Sequence, residues 1–170
     1  LMDINLSGWQ KVVCGAEKNQ MDSFLRFTDR FSPLGFRPEI LSPCYGLAEH
    51  TLCVSGYSMQ QHKMPEALTL SHHALSKNRA TDATKEQPAV TFFNHGKALK
   101  DHKIRIISTE DKSICDDNTI GEIWCQGPSV AMGYWNNDKD TKRIFQAYTN
   151  TGEGPFLRTG DLGFLRDNQL

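Results

Sequence analysis

Apolar positions fall into two rhythms along the chain. Between residues 20 and 32, Met21, Phe24, Leu25 and Phe31 recur at helical spacing, and Leu34 continues the series. Asn19 stands where a cap belongs, with Asp22 three residues on, so the pattern predicts a helix over 20–32 that Gly35 ends. Residues 9–14 before it and 38–43 after it read as short strands. Strand, helix and strand within about 40 residues predict a βαβ-like crossover with both strands parallel in one sheet. That arrangement sets Gly15-Ala16-Glu17 beside Tyr45-Gly46 at neighbouring carboxyl ends.

A third strand is predicted over 51–56, closed by Gly56. From Tyr57 to Ala89 the chain turns polar, and only a weak helical spacing of Met64, Leu68, Leu70 and Leu75 runs through it, so the segment reads as an insertion. Beyond it the rhythm becomes that of strands, at 90–93, 103–107 and 122–125, and alternation in 103–107 predicts one buried face. Residues 138–147 read as a surface helix started by an asparagine cap. Two glycines flank Asp161, which predicts a tight turn projecting a carboxylate; an ordinary hairpin turn fits the same residues.

Charge narrows the partners little. Among 170 residues, 19 basic and 20 acidic side chains leave a formal charge of −1, which gives no electrostatic footprint for nucleic acid or an anionic membrane. No apolar run approaches the roughly 20 residues needed to cross a bilayer. The first residues lack the basic start and apolar centre of a signal peptide, so the expectation is a soluble, cytoplasmic protein. Five cysteines with no C-x-x-C pair argue for reduced thiols over a disulfide framework or a zinc site. His72 and His73 stand in a polar stretch that reads as solvated loop.

The densest chemistry lies in Cys44-Tyr45-Gly46-Leu47-Ala48-Glu49-His50-Thr51, where an aromatic, a glycine and a carboxylate meet between two strand-like runs. Carboxyl ends of strands are where ligands gather in open α/β sheets, which makes this stretch a candidate site. A plain turn with a buried tyrosine fits the same residues.

Four ordered motifs together carry more than any one of them. Gly15-Ala16-Glu17, Tyr45-Gly46-Leu47-Ala48-Glu49, the run from Gly121-Glu122-Ile123 to Gly127 with Gly133-Tyr134, and Phe156-Leu157-Arg158-Thr159-Gly160-Asp161 follow one another over about 150 residues. In type, order and spacing the series resembles the adenylate-forming enzymes. The resemblance implies an α/β fold in three parts. Residues 1–56 are the end of a parallel βαβ-type subdomain with the adenine and metal sites, 57–89 an insertion, and 90–170 a mostly β subdomain, a distorted barrel with the ribose site.

It also implies roles. Tyr45 stacks on the adenine of ATP, the backbone of Gly15, Ala16 and Glu17 covers the other side, and Gly46, Leu47 and Ala48 complete that wall. Asp161 accepts from the ribose hydroxyls, and Glu49 holds the Mg²⁺ that bridges phosphate oxygens. The implied reaction is attack of a substrate carboxylate on the α-phosphate, giving an acyl-AMP and pyrophosphate. Nothing in the chain matches the family's phosphate loop or its carboxyl-terminal lysine, so these 170 residues alone are expected to be inert.

Two departures from the common pattern point to a branch. Ala48 stands where many members have threonine, and Glu49 and Phe93 lie 44 residues apart, about twenty to twenty-five more than is expected for acyl-CoA synthetases. Both are similar to the fatty acyl-AMP ligases, which activate a fatty acid and pass it to an acyl carrier protein. An acyl-CoA synthetase or a peptide-synthetase adenylation domain keeps the same Tyr45, Glu49 and Asp161, and a non-catalytic nucleotide-binding paralogue is the alternative of another class.

Overall fold

A computed structural model describes residues 4–57 and 65–170. Strand β1 (Val12–Cys14) leads into helix α1 (Met21–Phe31), and the chain returns as β2 (Leu41–Pro43). β1 and β2 pair in parallel, Val12 opposite Leu41 and Cys14 opposite Pro43, as the crossover pattern predicts. β2 is shorter than the sequence suggests. Pro38 fixes its own φ and lacks a donor, and residues Pro38–Ile40 form a 3₁₀ turn instead of the first half of a strand.

Two details of α1 differ from the pattern reading. Its buried stripe runs through Phe24 and Phe27, not Leu25, which is 49% exposed. Phe24 stacks on Phe93 at 4.4 Å, and Phe27 meets Phe36 edge-on at 5.1 Å. Asn19 is not the cap. Gln20 holds that position without a side-chain bond, while the Asn19 amide turns inward, donating to the Cys14 carbonyl and meeting His95 Nε2, each at 3.3 Å. After a 3₁₀ turn over Ser32–Leu34, Gly35 reverses the chain at φ +88°.

The Tyr45 stretch is itself a strand. β3 (Tyr45–Leu47) and β4 (Leu52–Gly56) form an antiparallel hairpin joined by a 3₁₀ turn over Ala48–His50. Next come β5 (Ala67–Ser71), the four-residue helix α2 (His72–Leu75) and β6 (Ala89–Phe93). Here the helical spacing of Leu68 and Leu70 misleads. Both lie in β5, which pairs with β6 along its whole length, and Leu70 is completely buried. Met64, the first residue of that expected helix, lies outside the described residues. His72 and His73 open α2 rather than a loop, and both are exposed.

β7 (Lys97–Ala98) adds to β4, making a sheet ordered β3-β4-β7. A second three-stranded sheet is built from β8 (Lys103–Ile107), β9 (Gly121–Gln126) and, after helix α3 (Asp138–Phe145), β10 (Leu157–Gly163), with β9 in the centre. Asn137 caps α3, its side chain accepting from Asp140 N as predicted. The second half is therefore β-rich but not a closed barrel: among the described residues the sheets are open, and β7 is bonded to β4, away from the edges of the β8-β9-β10 sheet.

One core cluster joins α1, β2 and Phe93. Another places Val54 of β4 against Ile104, Ile106, Ile123 and Cys125, with the Tyr45 ring packed on its margin. The β3–β4 hairpin is thereby fixed to the β8-β9-β10 sheet, which carries Asp161 in its edge strand. Among the described residues no helix is long and apolar enough to cross a membrane, and all five cysteines are free.

Candidate functional site

The parallel pair builds the first wall. Where β1 and β2 end, Cys44 N donates to the Cys14 carbonyl at 2.9 Å, drawing the Gly15 loop and the start of β3 together. A Cβ on Gly15 would lie 2.7 Å from Cys44 Sγ and 3.0 Å from Cys44 O, so this approach requires glycine. Ala16 follows in the left-handed region at φ +71°. Lys18 then lies over the Phe92 ring at 4.7 Å, tying the loop to β6.

The second wall depends on a bulge in β10. Arg158 stands opposite Trp124 and Leu162 opposite Glu122, so Thr159, Gly160 and Asp161 together face Ile123 alone. Asp161 thus projects from a bulged strand rather than from the tip of a tight or hairpin turn. Glu122 organises the bulge. Its carboxylate accepts two bonds from Arg158 Nε, one from Nη2 at 2.7 Å and one from Gly160 N at 3.2 Å. Burial alone would raise the Glu122 pKa, but the Arg158 guanidinium and these bonds hold it below the ordinary glutamate value. The Thr159 hydroxyl donates to Ile123 O at 2.8 Å and accepts from Asp161 N, completing the frame.

Across the gap, Tyr45 Oη donates to Asp161 Oδ2 at 2.7 Å. Burial pushes the Tyr45 phenol well above its usual range, and the Asp161 carboxylate adds to the effect, so the group remains a donor. Beneath them the Cys125 thiol is pushed up to about 12, by burial first and by the Asp161 charge second.

These walls enclose a cavity of about 690 Å³, within the range of small-molecule sites. Ala16, Glu17, Tyr45, Gly46 and Asp161 line it, so five of the sequence-predicted residues converge there. Gly15 is not among the lining residues and abuts Cys44. Leu47 and Ala48 are not among the lining residues: Leu47 packs toward the Val54 cluster and the Ala48 carbonyl accepts from Thr51 N. Glu49 also lies outside the lining, in the 3₁₀ turn beyond β3, where its Oε1 accepts from Tyr134 Oη at 2.8 Å.

Sequence reasoning named no role for Glu122, Arg158, Thr159 or Tyr134, although each stands inside a quoted motif. The signal was available in part: a glutamate beside the glycine opening one strand and an arginine two residues before the glycine of another. Phe92 and Phe164, which also line the cavity, stand in no quoted motif.

Comparison with known proteins places the fold in a family. The family model described as AMP-binding enzyme matches residues 2–135. The medium-chain-fatty-acid–[acyl-carrier-protein] ligase JamA of Moorena producens is 40% identical over 99% of this chain, and the chain spans 29% of that protein. The 4-hydroxyphenylalkanoate adenylyltransferase of Mycobacterium marinum is 35% identical over 92% of the chain, which spans 26% of it. Among solved structures, the fatty acyl-adenylate ligase of Legionella pneumophila in complex with acyl adenylate and pyrophosphate superposes with a TM-score of 0.90 at 34% identity, covering 97% of this chain and 28% of its own. On motifs, fold and a family match across most of its length, the chain belongs to the AMP-binding enzyme family.

Proposed function

We propose that this chain is the part of a fatty acyl-AMP ligase that binds the nucleoside of ATP and supplies one ligand to magnesium. The observation that carries the reading is the Tyr45–Asp161 pair facing the Ala16-Glu17 backbone in one cavity. An aromatic face, close main chain and a carboxylate make a purine nucleoside site, the ring supplying area and the carboxylate two acceptors for vicinal hydroxyls. Tyr45 bonds Oδ2 of Asp161, and charged hydrogen bonds of the ribose kind contribute roughly 1.5–3 kcal/mol each.

Glu49 fits magnesium in chemistry: a single carboxylate suits a hard cation that keeps most of its waters and takes the rest of its oxygens from phosphates. Bound there, the ion would neutralise phosphate charge as two anions meet. This chain's residues orient the nucleotide and hold the carboxylate that receives the ion. Activation of a fatty acid and its transfer to an acyl carrier protein belong to the intact protein, and the likeness to the Moorena producens ligase supports that substrate and acceptor. The same reading makes residues 57–89 an insertion that restrains a further domain and disfavours coenzyme A. Five free cysteines support a cytoplasmic location.

The test is product analysis. The intact protein, given ATP, magnesium and fatty acids of graded length, is expected to release pyrophosphate and form acyl-AMP, then load a phosphopantetheinylated carrier protein in preference to coenzyme A. Preferential acyl-CoA formation would move the assignment to the acyl-CoA synthetases, and no acyl-AMP at all would leave a nucleotide-binding paralogue.

A further inference from the structure

The loop from Gly127 to Trp135 grips the Glu49 turn at several points. Ala131 N donates to the Glu49 carbonyl at 2.8 Å, Thr51 Oγ1 donates to the Ser129 carbonyl at 2.7 Å, and Ser129 Oγ bonds His50 Nδ1 at 3.0 Å. The same Ser129 hydroxyl meets His102 Nε2 at 2.8 Å, anchoring the loop to the stretch before β8. These contacts fix the main chain on both sides of Glu49. The side chain is fixed by the phenol of Tyr134.

Tyr134 is itself held from behind. Its N–H donates to Thr141 Oγ1 at 2.9 Å, and its ring stands edge-on to buried Phe145 at 5.0 Å, so α3 sets its orientation. Gly133, at φ +146°, lets the chain pass against Thr141, where a Cβ would lie 2.3 Å from Cγ2. The phenol donates to Glu49 Oε1 at 2.8 Å.

We propose that Tyr134 is a positioning residue for Glu49: its phenol occupies Oε1 and turns Oε2 toward a divalent cation carried by the nucleotide phosphates. The inference rests on the reading of Glu49 as a metal ligand. A carboxylate on a free rotor must be ordered when the ion arrives, and a preset second partner removes part of that cost. α3 then serves the site indirectly, as the support on which Tyr134 is aimed.

The experiment measures cation binding apart from turnover. Mn²⁺ is titrated into the intact protein saturated with α,β-methylene-ATP, and free Mn²⁺ is read by electron paramagnetic resonance. Tyr134→Phe keeps the ring on Phe145 and removes only the hydroxyl. It is expected to weaken Mn²⁺ binding by about five- to tenfold while affinity for metal-free AMP is unchanged. Glu49→Gln is expected to weaken it more, and the double variant to match Glu49→Gln alone. If Glu49→Gln binds Mn²⁺ as the parent does, the metal-ligand reading fails. If Glu49→Gln weakens binding and Tyr134→Phe does not, or if their effects add in full, the positioning role is overturned.

Discussion

Tyr45 and Asp161 are 116 positions apart in sequence and 2.7 Å apart in space, the phenol donating to Oδ2 of the carboxylate. The bond joins the hairpin that follows the βαβ unit to the bulge in β10, so one contact ties two walls of the cavity together. The two groups separate by mutation. Asp161→Ala is expected to weaken ATP binding by roughly 3–5 kcal/mol, the loss of two charged hydrogen bonds to ribose. Tyr45→Phe keeps the aromatic face and is expected to change ATP affinity by less than about threefold while lowering stability by about 1 kcal/mol. Calorimetric titration of both variants checks this; equal losses of affinity would mean that the phenol, and not the ring, binds the nucleotide.

Arg158 should matter more to stability than a surface pair does. Its partner Glu122 is 8% exposed at the side chain while Arg158 is 33% exposed. Arg158→Met leaves a buried carboxylate partly unpaired, at an expected cost of about 2–3 kcal/mol, short of the fully buried case because the arginine reaches water. Denaturant unfolding measures it, and loss of the bulge should weaken nucleotide binding in parallel, since Gly160 and Asp161 hang on the same frame.

The same pair predicts an acid dependence. Glu122 has a folded-state pKa below its ordinary 4.5, so its stabilising contribution is complete above that value and is lost as pH falls through the lower folded value. Unfolding midpoints recorded from pH 6 downward should fall more steeply below pH 4.5 in the parent than in Glu122→Gln. Parallel curves would remove Glu122 from the account.

How much of this was legible in the sequence depends on the range of the interaction responsible. The βαβ unit was readable because α1 repeats its apolar positions and its flanks are bounded by Pro and Gly, all local signals. Asn19 was read as a cap because the rule is local, whereas its amide is drawn inward by the Cys14 carbonyl and by His95, 76 positions away. β5 was hidden for the same reason: Leu68 and Leu70 fit helical and strand spacing alike, and only β6, across a long connection, decides between them. Motif order made five of the cavity-lining residues legible, Ala16, Glu17, Tyr45, Gly46 and Asp161. The bulge that aims Asp161 was not legible, because it is made by a pairing between β9 and β10.

Gly46 is expected to tolerate no side chain. A Cβ there would lie 1.6 Å from the Leu52 carbonyl oxygen across the hairpin. Relief requires opening the β3–β4 ladder, so Gly46→Ala should cost more than about 4 kcal/mol and lower the melting temperature by on the order of 10 °C. Gly152→Ala is the control: its φ is +86° with nothing within 4 Å of the added carbon, so only backbone strain of about 1–2 kcal/mol applies. Similar melting temperatures for the two would show that the hairpin adjusts.

The β5–β6 connection allows a cleaner test of the insertion than deleting the whole polar segment, which would strip β6 of its partner. Ser71 stands opposite Ala89, so residues 72–88 can be replaced by Asn-Gly, a two-residue turn that suits the twist of an antiparallel pair. The replacement removes the Ala80 carbonyl and the Asp82 carboxylate, both 2.7 Å from the Arg166 guanidinium, and so frees the stretch after β10 from those contacts, while the ladder between β5 and β6, Leu70 opposite Val90 included, is kept. The intact variant loses Leu75 and Asn78 from the cavity lining but keeps Tyr45 and Asp161, so it should still bind ATP. If residues 57–89 restrain a further domain, it should also form acyl-coenzyme A, detected by mass spectrometry. Unchanged acyl-AMP formation with no thioester would separate the 72–88 connection from the choice of acceptor.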